Sequence, residues 1–175
     1  QVYNDENVYT MSLSNDVIIA GCSSGLIRST DKGEHWTQVL TDDRGTSTTK
    51  VIEGRFFAIS LRSNEWKDKM AYAGKLANKL RYSDDLGLTW KRMDEHLLPV
   101  DLNVSIANQS STGQVINDII QVGDVLVCCV GNVIYRSTDK GQSWQAVLTG
   151  SKENRRFEFV KSGSKIYAMS VNSGC

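Results

Sequence analysis

The chain has 175 residues and a formal net charge of zero, from 20 basic and 20 acidic side chains. This length can bury the core of one compact domain, and the balanced charge excludes a nucleic-acid partner bound through bulk electrostatics. No apolar run approaches the roughly 18 residues of a membrane helix, so we expect no membrane insertion.

A short pattern recurs three times along the chain, with the frame Ser-x-Asp-x-Gly-x-x-Trp. The copies span Ser29–Trp36, Ser83–Trp90 and Ser137–Trp144, and their serines are evenly spaced. Self-similarity at a fixed period indicates a repeat protein. The frame residues are Ser29, Asp31, Gly33, Trp36, Ser83, Asp85, Gly87, Trp90, Ser137, Asp139, Gly141 and Trp144.

Apolar or β-branched runs flank each copy, which predicts that the frame forms the turn between two strands. Glycine near the end of a short loop supplies a positive φ. The serine hydroxyl and the aspartate carboxylate suit hydrogen bonds to backbone groups inside the loop, and the tryptophan anchors the outgoing strand. We therefore interpret the frame as a structural turn and expect no catalytic residue in it.

The three stretches resemble the Asp-box, or bacterial neuraminidase repeat. This repeat marks β-propellers such as sialidases, sortilin-type receptors, xyloglucan-degrading glycosidases and photosystem assembly factors. The resemblance implies an all-β fold of four-stranded antiparallel blades. It also implies that each frame joins the third and fourth strands of a blade, away from the ligand-binding face. The fold hosts unrelated activities, so the resemblance is nearly silent on function.

In chain order, the predicted strands form three complete blades with partial blades at both ends, in a single propeller domain or fragment spanning residues 1–175. The predicted units are 1–4 (last strand of a preceding blade), 7–41 (blade 1), 50–94 (blade 2), 115–149 (blade 3) and 157–171 (partial blade 4).

Propellers typically have 4–8 blades, and exposed sheet edges are usually covered. Three interpretations follow. The chain is a portion of a longer propeller, or two or more copies close a ring by self-association through open edges. Alternatively, residues 1–4 join Phe157–Val171 to complete a small four-bladed ring.

Two segments interrupt the repeat and are the first places to look for a ligand site, because loops carry function on rigid scaffolds. We predict a long loop or hairpin tip at Arg62–Lys69 and a long connection at Glu95–Gln114. Trp66, the only tryptophan outside a frame, is flanked by charges. It can stack on a sugar ring or anchor a protein partner, or fold back on its own loop.

Three arginines, Arg28, Arg81 and Arg136, lie just before the frames. Sialidases bind a substrate carboxylate with three arginines. However, residues at repeat-equivalent positions are arrayed around a ring and do not converge on one ligand. We therefore expect these arginines to be structural or solvated. The Phe/Tyr-Arg-Ile-Pro motif of sialidases is absent from the sequence.

Glycosidases need two carboxylates about 5–9 Å apart, and the sequence does not say which carboxylates meet. The candidates outside the frames are Glu53, Glu65, Asp68, Asp94, Glu95, Asp101, Asp118 and Glu158. No spacing matches a zinc site or a phosphate-binding loop, so we expect no metal and no cofactor. Cys128 and Cys129 are adjacent in a strand-like run and should face opposite ways. Buried free thiols are favoured over a disulfide.

The sequence predicts a non-catalytic binding or scaffolding propeller, extracellular or periplasmic, whose loops engage a glycan or a protein. The alternative is part of a glycoside hydrolase, sialidase-like or xyloglucanase-like, with catalytic residues partly outside this chain. A weaker alternative is an assembly factor of the photosystem type. Paired carboxylates facing the ring axis favour the enzyme, whereas an aromatic loop surface without them favours the binder.

Overall fold

The computed structural model of the chain describes residues 6–42, 45–61, 76, 78–97, 115–150 and 155–172, without the side chains of 155–156 and 171–172. The described elements are strands and one short 3-10 turn at Asp94–His96. The strands are β1 Val8–Ser14, β2 Val17–Cys22, β3 Gly25–Ser29, β4 Thr37–Thr41, β5 Thr46–Ile52, β6 Arg55–Ser60, β7 Leu80–Ser83, β8 Lys91–Arg92, β9 Ile116–Val122, β10 Val125–Val130, β11 Val133–Ser137, β12 Gln145–Thr149, β13 Arg155–Ser162 and β14 Lys165–Asn172. Within the described residues, no helix has the length and apolar character needed to cross a bilayer.

The strands form three four-stranded sheets and one two-stranded sheet, each with its strands in chain order. Sheet 1 is β1–β4, sheet 2 is β5–β8, sheet 3 is β9–β12 and sheet 4 is β13–β14. Every pairing is antiparallel. The prediction of an all-β fold built from four-stranded antiparallel sheets is confirmed. The predicted strand at 1–4 lies outside the described residues.

The chain divides into two compact units, the first holding sheets 1 and 2 and the second holding sheets 3 and 4. The first two strands of every sheet are joined by a two-residue turn. In sheet 1 this turn places Asn15 and Asp16 at φ 48° and 60°, as a type I′ hairpin turn requires. In sheet 3 it begins with Gly123 at φ 56°, a left-handed backbone that glycine adopts readily.

The core of the first unit lies between sheets 1 and 2. Val17, Ile19 and Leu26 of sheet 1 pack with Phe56 and Ala58 of sheet 2, and all five are buried. Full burial of a valine, leucine, isoleucine or phenylalanine side chain stabilises a fold by about 1.5–3 kcal/mol. This interface is therefore the main source of stability in the first unit.

The core of the second unit lies between sheets 3 and 4. Cys129 and Ile134 of sheet 3 pack with Phe157 and Phe159 of sheet 4. Cys128 and Cys129 are buried and free, as is Cys22 of the first unit, so the prediction of buried free thiols is confirmed for these three residues. Burial raises the pKa of the Cys128 and Cys129 thiols, so they stay protonated and unreactive at neutral pH.

In each unit, a side chain on the first strand of one sheet accepts a backbone N–H from the first strand of the neighbouring sheet. In the first unit, the Thr49 N–H donates to Oγ1 of Thr10 over 3.2 Å. In the second unit, the Phe159 N–H donates to Oδ2 of Asp118 over 2.8 Å. We call these contacts the inter-sheet bonds. Each satisfies an N–H of a strand at the edge of its sheet, where the ladder supplies no partner.

Candidate functional site

The three copies of the frame form the turns between the third and fourth strands of sheets 1, 2 and 3. The first turn follows β3 and precedes β4, the second lies between β7 and β8, and the third lies between β11 and β12. We call them the first, second and third frame turns. The frame predicted as a strand-to-strand turn is therefore a turn in each sheet that carries it.

The frame serine and aspartate organise the backbone of each turn. In the first turn, the Ser29 hydroxyl donates to Oδ1 of Asp31 over 2.8 Å and accepts the Gly33 N–H over 2.9 Å. The same two bonds measure 2.7 and 2.8 Å in the second turn and 2.7 and 2.9 Å in the third. The serine oxygen therefore bridges the aspartate and the glycine in every copy.

The aspartate carboxylate closes each turn from the other side. Its Oδ1 accepts the backbone N–H of the residue four positions later, at 2.9, 2.8 and 2.9 Å in the three turns. That later residue differs between the turns: it is His35, Thr89 or Ser143. The side chain donates to Oδ2 in the second and third turns, over 2.5 Å in each. In the first turn the Nδ1 atom of His35 lies 2.6 Å from Oδ2.

These hydrogen bonds favour the ionised carboxylates. The His35 N–H and the Ser29 hydroxyl hold the pKa of Asp31 well below its usual range. The Thr89 hydroxyl and N–H do the same for the pKa of Asp85. The Ser143 hydroxyl lowers the pKa of Asp139 to about 2. A carboxylate committed in this way is a poor general acid near neutral pH.

The frame glycines adopt the positive φ that the sequence predicts, at 92°, 81° and 88° for Gly33, Gly87 and Gly141. The residue before each glycine is also left-handed, at φ 61°, 57° and 59° for Lys32, Leu86 and Lys140. Sequence reasoning missed this second position, because neither lysine nor leucine favours a left-handed backbone.

The frame tryptophans differ between the turns. The indole N–H of Trp36 donates to the Gly33 carbonyl over 2.9 Å, and that of Trp90 donates to the Gly87 carbonyl over 3.2 Å. In the third turn, the buried Nε1 atom of Trp144 has no hydrogen-bond partner among the described residues. The expected anchoring role is therefore supported by a hydrogen bond in two of the three turns.

The first turn also gathers three side chains that can ligate a cation. The ligand atoms of Asp31, Glu34 and His35 lie within 4.8 Å of one another, and Glu34 and His35 are exposed. The second and third turns have Leu88 and Gln142 where the first has Glu34. Because Asp31 and His35 are already hydrogen-bonded to each other, the cluster has a structural function without any ion.

The predicted contact residue Trp66 lies outside the described residues, as does the rest of Arg62–Lys69. Of the connection predicted at Glu95–Gln114, the structure describes only residues 95–97, which include the end of the 3-10 turn. Three of the candidate acids, Glu65, Asp68 and Asp101, also lie outside. The role of Trp66 in ligand binding therefore stays a prediction.

Asp118, a candidate acid, is buried and accepts backbone N–H groups at both oxygens, from Ile119 over 2.8 Å and from Phe159 over 2.8 Å. It therefore has a structural role in the inter-sheet bond. Sequence reasoning missed this role, although Asp118 lies among apolar residues near the start of predicted blade 3, where a buried polar residue signals a committed hydrogen bond.

The three arginines near the frames do not share an environment. The Nε atom of Arg28 donates to the Leu86 carbonyl over 2.8 Å and so ties sheet 1 to the second frame turn. Arg81 is buried and forms an ion pair with Asp42 at 2.7 Å. Arg136 is exposed. Arg28 and Arg81 therefore hold the first unit together, as expected for structural arginines.

Comparison with solved structures identifies the class of fold. The chain is similar to an ancestral GH74 enzyme, at 17% identity and a TM-score of 0.64, over 96% of this chain and 22% of the enzyme. It is similar to the extracellular domain of BT4673 from B. thetaiotaomicron, at 11% identity and 0.59, over 97% of this chain and 21% of that one. It is also similar to YCF48 bound to D1 peptide, at 14% identity and 0.53, over 99% and 55%.

These proteins are β-propellers, and the chain has the propeller-type fold. At such low identity the likeness shows the fold alone. No family model matches the sequence, and no curated protein matches it. The chain spans about a fifth of the length of the first two proteins and about half that of YCF48.

Proposed function

We propose that the chain is a non-catalytic binding and scaffolding module, whose loops engage a glycan or a protein. One observation supports the proposal: five aspartates in the described part of the chain are engaged in hydrogen bonds or an ion pair within the scaffold. Asp31, Asp85 and Asp139 each fold a turn, Asp118 joins two sheets and Asp42 pairs with Arg81. A hydrolase needs carboxylates that stay available to substrate and water.

The frame turns are, on this proposal, Asp-boxes. The position between third and fourth strands supports this assignment, and so do the shared bonds of serine, aspartate and glycine. The assignment gives the turns a structural task and leaves ligand binding to other loops. The segment Arg62–Lys69, with Trp66 at its centre, is the proposed contact region because its charged and aromatic residues have no counterpart in the repeat.

An extracellular or periplasmic location is part of the proposal. It is supported by the similarity to the extracellular domain of BT4673.

The experiment is a titration of the purified chain with soluble xyloglucan, chosen as the probe because a GH74 xyloglucanase from Xanthomonas campestris is among the similar structures. We expect saturable binding without release of reducing ends. Trp66→Ala should weaken binding more than tenfold, as truncation of a central tryptophan costs about 2 kcal/mol or more. Leu88→Ala, at an exposed site of the second frame turn, is the matched control and should bind normally.

Two results would overturn parts of this proposal. Unchanged binding by Trp66→Ala would remove the proposed contact region. Release of reducing ends by the wild-type chain would favour the alternative, part of a glycoside hydrolase, which is supported by the similarity to the two GH74 enzymes.

The weaker alternative, an assembly factor of the photosystem type, is supported by the similarity to YCF48, which was solved bound to D1 peptide. This alternative predicts binding of a D1 peptide and no affinity for xyloglucan. Titration of the same preparation with both probes distinguishes it from a glycan-binding module.

A further inference from the structure

The first and third frame turns are nearly identical in sequence. The first reads Ser-Thr-Asp-Lys-Gly-Glu-His-Trp and the third reads Ser-Thr-Asp-Lys-Gly-Gln-Ser-Trp, so they differ at two positions. Glu34 and His35 stand where the third turn has Gln142 and Ser143. Carboxylate and imidazole groups are common zinc ligands, whereas amide and hydroxyl groups are not. Both differences therefore add a metal ligand to the first turn.

These two side chains lie next to the frame aspartate. One ligand atom from each of Asp31, Glu34 and His35 lies within 4.8 Å of the other two, and Nδ1 of His35 is 2.6 Å from Oδ2 of Asp31. The ligand atoms of a tetrahedral zinc site, each about 2.1 Å from the ion, are about 3.4 Å apart. Glu34 and His35 are exposed, so small rotations of their side chains bring all three atoms to the separation that one ion requires.

The turn holds the aspartate in place for this role. Its Oδ1 atom accepts hydrogen bonds from the Ser29 hydroxyl over 2.8 Å and from the His35 N–H over 2.9 Å. Among the described residues, Oδ2 is hydrogen-bonded only to the imidazole of His35. An ion between Oδ2 and Nδ1 takes the place of that one bond, and the neutral imidazole then carries its proton on Nε2. The carboxylate is therefore positioned before an ion arrives.

The positions of Glu34 and His35 face solvent even where a neighbouring sheet covers the turn. The second frame turn packs on sheet 1 through Gly87, whose Cβ position lies against a buried side chain of β2. Leu88 and Thr89, which correspond to Glu34 and His35, are nevertheless exposed. The accessibility of the two ligands therefore follows from the geometry of the turn itself and does not depend on which sheet lies beside it.

The donor set selects a class of ion. It consists of one imidazole nitrogen and two carboxylates. Ca²⁺ takes six to eight oxygen ligands, and Mg²⁺ prefers oxygen ligands in an octahedral arrangement. Imidazole nitrogen suits zinc, copper and nickel, and two carboxylates balance the charge of a divalent ion. Three protein ligands leave the fourth tetrahedral position open to water or to a donor group of a bound molecule.

We propose that Asp31, Glu34 and His35 form a surface site for one divalent ion of the zinc class. The ligands are Oδ2 of Asp31, Nδ1 of His35 and one carboxylate oxygen of Glu34. The other two turns close with a hydroxyl of Thr89 or Ser143 in place of the imidazole, so the frame does not require a histidine to fold. The sequence predicts no metal, because the short spacing of these ligands matches no zinc motif.

Isothermal titration of the full, untagged chain with Zn²⁺, after treatment with EDTA, tests the proposal. The double variant Glu34→Gln/His35→Ser gives the first turn the sequence of the third and retains a hydroxyl beside Asp31. It should bind Zn²⁺ at least about tenfold more weakly than the wild type, since loss of an outer partner alone costs about 10–100-fold. His96→Ala removes the other histidine, which is exposed, and should bind like the wild type. Thermal melts in EDTA, followed by circular dichroism, verify that the variants fold.

NMR of the histidine rings identifies the ligand. Zn²⁺ should shift the ring signals of His35 and leave those of His96 in place, whereas Mg²⁺ at the same concentration should shift neither. A wild-type chain that binds no Zn²⁺, or a double variant that binds it as tightly as the wild type, overturns the proposal. So does an equal loss of binding in His96→Ala, or binding of Mg²⁺ as tight as that of Zn²⁺.

Discussion

The second frame turn lies so close to sheet 1 that an alanine at Gly87 would place its methyl group against the side chain of Ile19. Comparison with an alanine at a glycine in open space separates the cost of backbone strain from the cost of overpacking. Gly87 has φ +81°, and a Cβ atom there would lie 2.3 Å from Cδ1 of Ile19. Gly54 has the same φ of +81°, but nothing lies within 4 Å of its Cβ position. Both alanine variants therefore have similar backbone strain, and only Gly87→Ala also overpacks the core.

The magnitudes follow from these two contributions. An alanine in the left-handed region costs about 1–2 kcal/mol, which is the whole cost expected for Gly54→Ala. Overpacking adds about 1–3 kcal/mol, so Gly87→Ala should lose about 2–5 kcal/mol. Urea denaturation followed by circular dichroism gives the free energy of unfolding of each variant.

Ile19→Val supplies the control, because valine lacks the Cδ1 atom that the new methyl group would meet. The cost of Gly87→Ala should fall by about 1 kcal/mol in this background, which a double-mutant cycle measures as a coupling energy. Equal costs for Gly87→Ala and Gly54→Ala, or a cycle with no coupling, would refute the reasoning.

Three further outcomes concern carboxylates. The pKa of Asp139 is lowered from 3.8 to about 2, so its ionised form stabilises the fold above pH 3.8 and this contribution is lost as the pH falls to about 2. In Asp139→Asn, the melting temperature should depend less on pH over that range than in the wild type. An unchanged pH dependence would contradict the lowered pKa of Asp139. Asp42→Asn leaves the buried Arg81 without its anion and should cost about 3–5 kcal/mol. The exposed control Asp84→Asn should cost less than about 1 kcal/mol, and equal losses would contradict the difference in burial. Asp118→Ala should speed exchange of the Phe159 amide hydrogen with solvent, as measured by NMR, because it removes the acceptor of that N–H. Unchanged exchange would exclude the inter-sheet bond in solution.

The frame turns were predictable because their chemistry is local. The serine, aspartate and glycine of one turn hydrogen-bond within a few residues of each other, so residue type and spacing contain most of the information. The left-handed conformation of Leu86 was not predictable, because leucine carries no signal for it. It follows from the turn as a whole, in which the neighbouring bonds outweigh the local backbone preference.

Strand lengths were predicted less well where polar residues form strands. The sequence predicts that blade 2 begins at residue 50, whereas its first strand, β5, begins at Thr46. Thr49 bonds to Thr10, a residue 39 positions away. Such a partner is set by the packing of two sheets and leaves no periodic trace in one sequence. The same holds for Asp118. A sequence does not distinguish an aspartate that donates a proton to a substrate from one that accepts a buried N–H.

The inter-sheet bonds also indicate how one sheet of this fold could be exchanged for another. Each seam between two sheets needs apolar side chains and one acceptor, and the acceptor is a threonine hydroxyl in one unit and an aspartate carboxylate in the other. Because two chemistries satisfy the same register, a sheet can be exchanged as a cassette when its first strand presents either group at that position. The contacts between neighbouring sheets are therefore suitable boundaries for exchanging a sheet together with its loops, without redesign of the remaining strands.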